Sequence, residues 1–370
     1  MKLHEVCKLF ADGDWIESKD QAPEGIRLVQ TGNIGEGKYL EKEGREKYIS
    51  EKTFCDLKCT EVFPGDVLIS RLPDPVGRGC IVPQTREKMI TAVDCTICRT
   101  DESLINNEYL CYFLQSRNYY LQLDQNVTGT TRKRISRKNL GNVEVKVLPL
   151  ESQRDIVFKL NKLTSVIRNR QKQIELLDEL IKARFVEMFG DPETNPKDWE
   201  KRPLADVITA ANNGMARRGN DEDGNIVMRL VELQDGYIDY SKPNRIILTE
   251  AEKKRYLLKD KDFLFARVNG NPENVGRCAV FYDIGEPVFH NDHIIRVHFD
   301  DEDLDGPFAS ALLNSEYGKR QLRNQIKTSA GQYTVSQDGI GAIVAILPPI
   351  EIQRQFAAFV GQVDKSKVIS

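Results

Sequence analysis

Up to Pro149 the apolar and polar positions of the chain follow a strand-rich pattern. Phe63-Pro64-Gly65-Asp66 followed by Val67-Leu68-Ile69-Ser70-Arg71 predicts a turn and a short strand. Val143-Glu144-Val145-Lys146-Val147 alternates with a period of two, which predicts a half-exposed strand. One short helix is predicted near Asn107 to Leu123, with a counterpart near Phe308 to Ile326. Thr31-Gly-Asn-Ile-Gly-Glu-Gly37 has the wrong glycine spacing for a dinucleotide fingerprint and predicts a hairpin turn.

After Pro149 the pattern changes to heptads. Ile156, Leu163, Arg170, Leu177 and Arg184 recur every seven residues, with the companion set Leu160, Ile167, Ile174, Ile181 and Met188. Eight of these ten are apolar, so the seam is sustained and predicts a long coiled-coil helix. No Gly or Pro interrupts it before Gly190, the predicted stop, with Pro192 just beyond. A helix of about 38 residues would be ~57 Å long, longer than a domain is wide, so a spacer or arm is expected. Residues 191–198 then form a linker to Trp199.

The chain also repeats itself. Leu3-His4-Glu5-Val6 recurs as Leu204-Ala205-Asp206-Val207, and Arg27-Leu28-Val29 as Arg229-Leu230-Val231. Gly65-Asp66-Val67-Leu68 matches Lys261-Asp262-Phe263-Leu264, and Val76-Gly77-Arg78 matches Val275-Gly276-Arg277. Leu114-Gln115-Ser116 recurs as Leu313-Asn314-Ser315, and Pro149 to Arg154 as Pro349 to Arg354. The offsets stay between 196 and 202 in unbroken order, which indicates a duplicated domain and not a short solenoid repeat. The second copy begins the same helix near Glu351, with Phe356, Val360 and Val363 on the seam and Lys367 where Ile167 stands in the first. Ser370 corresponds to Arg170, so the second helix reads as truncated, and the first is expected to lack a full-length partner within the chain.

Composition narrows the function. There are 53 basic and 56 acidic residues, net −3, so a nucleic-acid partner would have to be held by local basic patches. No run approaches the ~18 apolar residues of a membrane span, and Met1-Lys2-Leu3-His4-Glu5 has no apolar signal core, so a cytoplasmic protein is expected. Eight cysteines without framework spacing read as free thiols. Cys95 and Cys98 fall on a β-branched stretch that would turn their sulfurs to opposite faces, so no zinc site is assigned. No phosphate loop, nucleophile elbow or amino-methyltransferase tetrapeptide occurs, which favours a binder over an enzyme. His290, Asp292 and His293 are the one candidate for a metal-dependent hydrolase, against an ordinary strand start.

The strongest charge feature is Thr128 to Lys138. Arg132, Lys133, Arg134, Arg137 and Lys138 make five of seven consecutive residues basic, next to the small Thr130 and Thr131. Such a loop can neutralise phosphates or reach guanine edges, and a solvated basic turn is the alternative. Its counterpart, Ser329 to Ser336, carries Gln332 and Tyr333, and glutamine suits adenine. A second candidate surface is Arg71 with Arg78, and Arg267 and Asn271 with Arg277, for which structural ion pairs are the alternative.

Taken in order, these motifs resemble the specificity (S) subunit of type I restriction-modification systems. The resemblance rests on Leu148-Pro-Leu-Glu-Ser-Gln153 and Leu347-Pro-Pro-Ile-Glu-Ile-Gln353, the Gly65-Asp66 turn and the Thr128-Gly129-Thr130-Thr131 loop. Leu180 to Gly190 and Asn195-Pro-Lys-Asp-Trp199 complete it, so it spans essentially the whole chain. It implies an α+β architecture of two homologous strand-rich target-recognition domains. These would occupy residues 1–148 and 191–347, with a long helix over 149–190 and the start of a second over 348–370. It further implies sequence recognition on double-stranded DNA without catalysis, each domain reading half of a gapped target, with half-site centres about one helical turn (~34 Å) apart. Methyltransferase (M) subunits would dock on the helices and use S-adenosylmethionine, this chain holding no cofactor, and a restriction (R) motor-nuclease subunit would join for cleavage. A homodimer through the unpaired seam and a protein-interaction scaffold built on the arm are the other readings.

Overall fold

The computed structural model describes residues 1–129, 133–329 and 331–369, which divide into two compact units, Met1–Arg168 and Asn169–Ser370. Each unit is built on the same four-stranded antiparallel sheet. In the first the order is Cys7–Asp12, Cys95–Thr100, Val67–Ser70, Gly79–Ile81; in the second it is Ile208–Asn213, Ile294–Phe299, Phe263–Ala266, Cys278–Val280. Even the irregularity is duplicated: the register slips between Cys7 and Leu9 and again between Ile208 and Ala210. The α+β duplication expected from the sequence is therefore the fold.

The central strands are apolar without alternation because both of their faces are covered. Val67 and Ile69 enter one core with Leu3, Val6, Cys98 and Leu110, while Leu68 enters another with Cys80, Cys95 and Ile97. Cys95 and Cys98 thus lie in different cores, as the strand spacing required. In the second unit Phe263 and Phe265 divide from Leu264 and Ala266 in the same way. The strand predicted over residues 143–147 is reduced to an isolated bridge between Glu144 and Lys2, although Val143 and Val145 are buried between exposed Glu144 and Lys146 as the alternation required. Ile34 pairs with Tyr39 around the predicted glycine turn.

Two other expectations are corrected. The helix predicted near Asn107 to Leu123 is two helices, Asn107–Phe113 and Arg117–Asp124, and its counterpart is Gly306–Leu313 and Glu316–Gln325. The break falls at Ser116 and Ser315, whose hydroxyls cap the following helix by accepting from Tyr119 N and Gly318 N. The pairing of Arg27 with Arg229 is three residues out of register. Strand Ile26–Val29 runs parallel to Met89–Thr91 with Arg27 opposite Met89, and Asn225–Met228 runs parallel to Val288–His290 with Ile226 opposite Val288. Arg27 therefore corresponds to Ile226, and Arg229 to Gln30.

The long helix runs Leu150–Phe189 and stops at Gly190, which takes φ +79° and whose N–H reaches the Val186 carbonyl at 2.8 Å. Lys197 Nζ donates to the carbonyls of Glu187 and Met188, and Trp199 Nε1 to that of Phe189, so the helix end is closed by the linker. Phe185 and Phe189 pack on Phe308 and Phe356 with centroids 4.6 to 5.6 Å apart. From there Ile350–Ile369 runs antiparallel to the last turns of the long helix: Phe356 meets Phe185, and Lys367 meets Asp178 at 2.7 Å. On the seam, Ile181 and Met188 pack against the second unit's core. Ile156, Leu160, Ile174 and Leu177 are half-buried, and Leu163 and Ile167 are 59% and 68% exposed.

The conserved-in-copy glutamines explain how each helix is aimed. Gln153 is fully buried, accepts from Asn106 N at 2.8 Å and donates to the carbonyls of Leu104 and Leu148. Gln353, equally buried, accepts from Asp305 N and donates to the carbonyls of Asp303 and Pro348. Only a primary amide at the first turn offers both the acceptor and the two donors that this loop needs.

Candidate nucleic-acid interface

In each unit a short hairpin is pinned beside an arginine of the central sheet. In the second unit Lys327–Ser329 pairs with Gln332–Thr334, which also pairs with Val268–Asn269. Buried Val335 anchors the hairpin, its N–H bonded to the Arg267 carbonyl at 2.9 Å. In the first unit Thr128 and Arg134 exchange backbone bonds of 2.9 and 2.8 Å, buried Ile135 is the anchor, and its N–H reaches the Arg71 carbonyl at 3.2 Å. Thr130, Thr131 and Arg132 lie outside the described residues. Of the second candidate surface, Arg71 and Arg267 are thus the members that lie against the hairpins.

Beyond each anchor a serine caps a short helix: Ser136 accepts from Asn139 N, and Ser336 from Gly339 N. The residues just inside these caps face equivalent positions of the edge strand. In the first unit Arg137 lies 3.9 Å from Asp12, which also pairs with Arg71 at 3.4 Å; in the second, Gln337 donates to Asn213 Oδ1 at 3.2 Å. An ionic pair in one copy is an amide pair in the other. Arg134 pairs with Asp94 at 3.0 Å, while Lys133, Arg137 and Lys138 are exposed. In the second unit Arg267, Lys327, Thr334, Ser336 and Gln337 line a polar cleft of about 320 Å³ with Asn213. Gln332 is exposed and Tyr333 half-buried on the same hairpin. The sequence reading missed Asp12, Asp94, Asn213, Lys327 and Gln337. The Ser-Arg and Ser-Gln steps at 136 and 336 were the signal that could have found the last.

Burial corrects two candidates. Arg71 is 4% exposed, donates to the Val93 carbonyl at 2.6 Å, and is held below its ordinary pKa chiefly by burial. Arg78 is 8% exposed and donates to the carbonyls of Ile34, Leu72, Pro75 and Thr31. Both hold loops together from inside, with little surface exposed. Arg277 is half-buried and tied to Asp235 and Gln234, and Asn271 caps the turn Pro272–Asn274, so neither joins the hairpin surface. Arg267 remains half-exposed in the cleft, with Nη1 on the Asp292 carbonyl at 3.2 Å.

The histidine cluster is a strand–turn–strand and not a single strand start. His290 ends Val288–His290, fully buried, with Nδ1 on the Tyr256 carbonyl, and burial pushes its pKa down to about 4. Asp292 is paired with Arg218 at 2.7 Å, and the same guanidinium lies 3.1 Å from His293 Nε2, so a cation already occupies the place a metal would need. Among the described residues no group of three or more His, Cys, Asp or Glu converges as metal ligands, and no helix is long and apolar enough to cross a membrane.

The family model described as the type I restriction modification DNA specificity domain matches the chain twice, over residues 1–178 and 196–369. The chain belongs to this family. It is 26% identical over 274 residues to the type I restriction enzyme StySPI specificity subunit of Salmonella potsdam, covering 70% of this chain and 59% of that protein. To the EcoKI specificity subunit of Escherichia coli K12 it is 23% identical over 282 residues, covering 72% and 60%. The chain therefore spans about three-fifths of the length of these relatives. Among solved structures, the type I S subunit from M. genitalium superposes with a TM-score of 0.53 at 14% identity, over 99% of this chain and 89% of that one. A chain from a structure of the assembly and conformational transition of the type I R-M system gives 0.54 at 16%, over 100% and 90%. At these identities the likeness to solved structures is one of fold.

Proposed function

We propose that this specificity-domain protein is the non-catalytic DNA-reading subunit of a type I restriction-modification complex. One observation carries the reading: two copies of a surface keep the same buried anchor and serine cap while exchanging Asp12–Arg137 for Asn213–Gln337. Duplicated frames with different donors and acceptors suit two domains that read different half-sites of one gapped duplex. Arg137 at one cap and Gln337 at the other favour guanine-type and adenine-type edges respectively. Methylation with S-adenosylmethionine and cleavage belong, in this reading, to M and R subunits, and cytoplasmic action on DNA follows. The exposed Leu163 and Ile167 support docking on the long helix, by an M subunit or by a second copy of the chain.

Selection from random-sequence duplex DNA at one stated salt concentration, with and without a methyltransferase partner, tests it. Two short enriched blocks at a fixed gap are expected. A palindrome would mean that one domain of a homodimer is used twice, and no enrichment with the partner present would overturn the reading.

A further inference from the structure

The first unit carries a basic cleft that no motif announced. Residues 41–47, Glu-Lys-Glu-Gly-Arg-Glu-Lys, are neutral in sum, yet Lys42, Arg45 and Lys47 line a cleft of about 290 Å³ together with Arg27, Thr31 and Gly32. No acidic residue lines it. The fold sorts the charges of an unremarkable loop so that the bases face inward together.

Arg27 is the unusual member. It projects from strand Ile26–Val29 with its side chain 4% exposed. Glu41, 64% exposed, is 3.7 Å from Nη2, Tyr48 lies beside the guanidinium at 5.6 Å, and Nη1 is buried with no hydrogen-bond partner among the described residues. A buried guanidinium donor without a partner is costly, and it leaves a hydrogen-bond position open to an anion in the cleft. Folding does not require it, because the corresponding Ile226 fills the same strand position with a side chain 3% exposed. At the position of Gln30 the second unit carries Arg229 instead, but that charge is taken up by Glu232 at 2.6 Å. Lys47 and Asn244 correspond too, since their carbonyls accept from Leu28 N and Val227 N. Lys42 extends its ammonium over Gly32, into the space that a Cβ there would fill. Among the described residues Lys42, Arg45 and Lys47 form no ion pair, although three glutamates share their loop.

We propose that this cleft is a phosphate site, and that its occupant is one backbone phosphodiester of the bound duplex, held by the first domain alone. The proposal rests on the DNA-reading function above. A phosphate contact positions the protein without carrying sequence information, so the site would fix the register and orientation of one domain on the duplex.

The test compares the full-length wild type with Arg27→Ile, which copies the second unit's own solution, and with Lys42→Gln/Arg45→Gln/Lys47→Gln, which leaves the buried strand untouched. Binding to the selected target and to an unrelated duplex is measured across a salt series. One lost phosphate contact should flatten the slope of log K against log salt by about 0.9 in each variant. The target-to-unrelated affinity ratio should be unchanged. A parallel thermal-shift series compares inorganic phosphate with chloride at equal ionic strength. An unchanged slope, with phosphate stabilising the wild type more than Arg27→Ile, would assign the cleft to a free phosphate or phosphomonoester and overturn the backbone assignment. An unchanged slope without phosphate stabilisation would overturn the site altogether. Absence of any DNA binding by the wild type would remove the DNA-reading function and this occupant together, whereas a normal wild type with unchanged variants removes this proposal alone.

Discussion

Replacing Gln353 by methionine tests whether one amide joins the last helix to the second domain. Methionine keeps the length and volume of the side chain but removes the acceptor for Asp305 N and the donors to the Asp303 and Pro348 carbonyls. An orphaned buried N–H costs ~1–3 kcal/mol and each lost carbonyl bond ~1 kcal/mol, so the loss should be about 3 kcal/mol after some gain from the apolar side chain. With a urea dependence of ~2 kcal/mol/M for a unit of this size, the midpoint should fall by about 1.5 M. The chain has two tryptophans, Trp15 in the first unit, 70% exposed, and Trp199 in the second, packed at the core's margin. In a Trp15→Phe background, Trp199 fluorescence therefore follows the second unit. Gln153→Met, its counterpart in the first unit, should leave that transition in place. A midpoint shift under about 0.3 M for Gln353→Met, against the ~1.5 M expected from the lost bonds, would refute the lock. An equal shift from Gln153→Met would refute its independence.

Other consequences are open to direct measurement. The folded pKa of His290, about 4, lies below the ~6.5 of an unfolded histidine. The unfolded chain then takes up the proton first, so stability is full above pH 6.5 and falls as pH drops towards 4, by up to ~3 kcal/mol. Urea midpoints at several pH values should fall more steeply for the wild type than for His290→Asn, and parallel profiles would contradict the assignment. Replacing Arg132, Lys133 and Arg134 together by alanine should flatten the salt slope of DNA binding by up to about 2.7. An unchanged slope would show that the first hairpin does not touch phosphates. Leu163→Lys with Ile167→Lys should abolish co-elution with a methyltransferase partner while leaving the Trp199 transition unmoved, and retained co-elution would remove that docking face. Light scattering on the wild type should distinguish the second-copy alternative, which a concentration-independent single-chain mass would end.

The duplicated frame, the long helix and the paired glutamine motifs are legible in the residues before any fold is known. Each is local or repeated: a heptad seam is written in consecutive residues, and a copy of Gly65-Asp66 or Pro149-to-Arg154 is visible without knowing what it touches. Single matches were weaker guides. Arg27-Leu28-Val29 and Arg229-Leu230-Val231 look alike, yet strand pairing sets Arg27 against Ile226, because register depends on the partner strand and not on the letters. The helix break at Ser116 was hidden because a serine inside an apolar-periodic stretch and a serine capping a new helix read the same.

Tertiary structure alone decided which arginines face a ligand. Arg71, Arg78 and Arg267 follow similar turns, but the first two are enclosed by loop carbonyls from residues far along the chain, and the third opens onto a cleft. Arg27 shows the converse, a strand residue that gains its meaning from a loop 15 to 20 residues away. A guanidinium has the same five donors whether it ties loops or meets a phosphate, and only long-range packing determines which acceptors reach it.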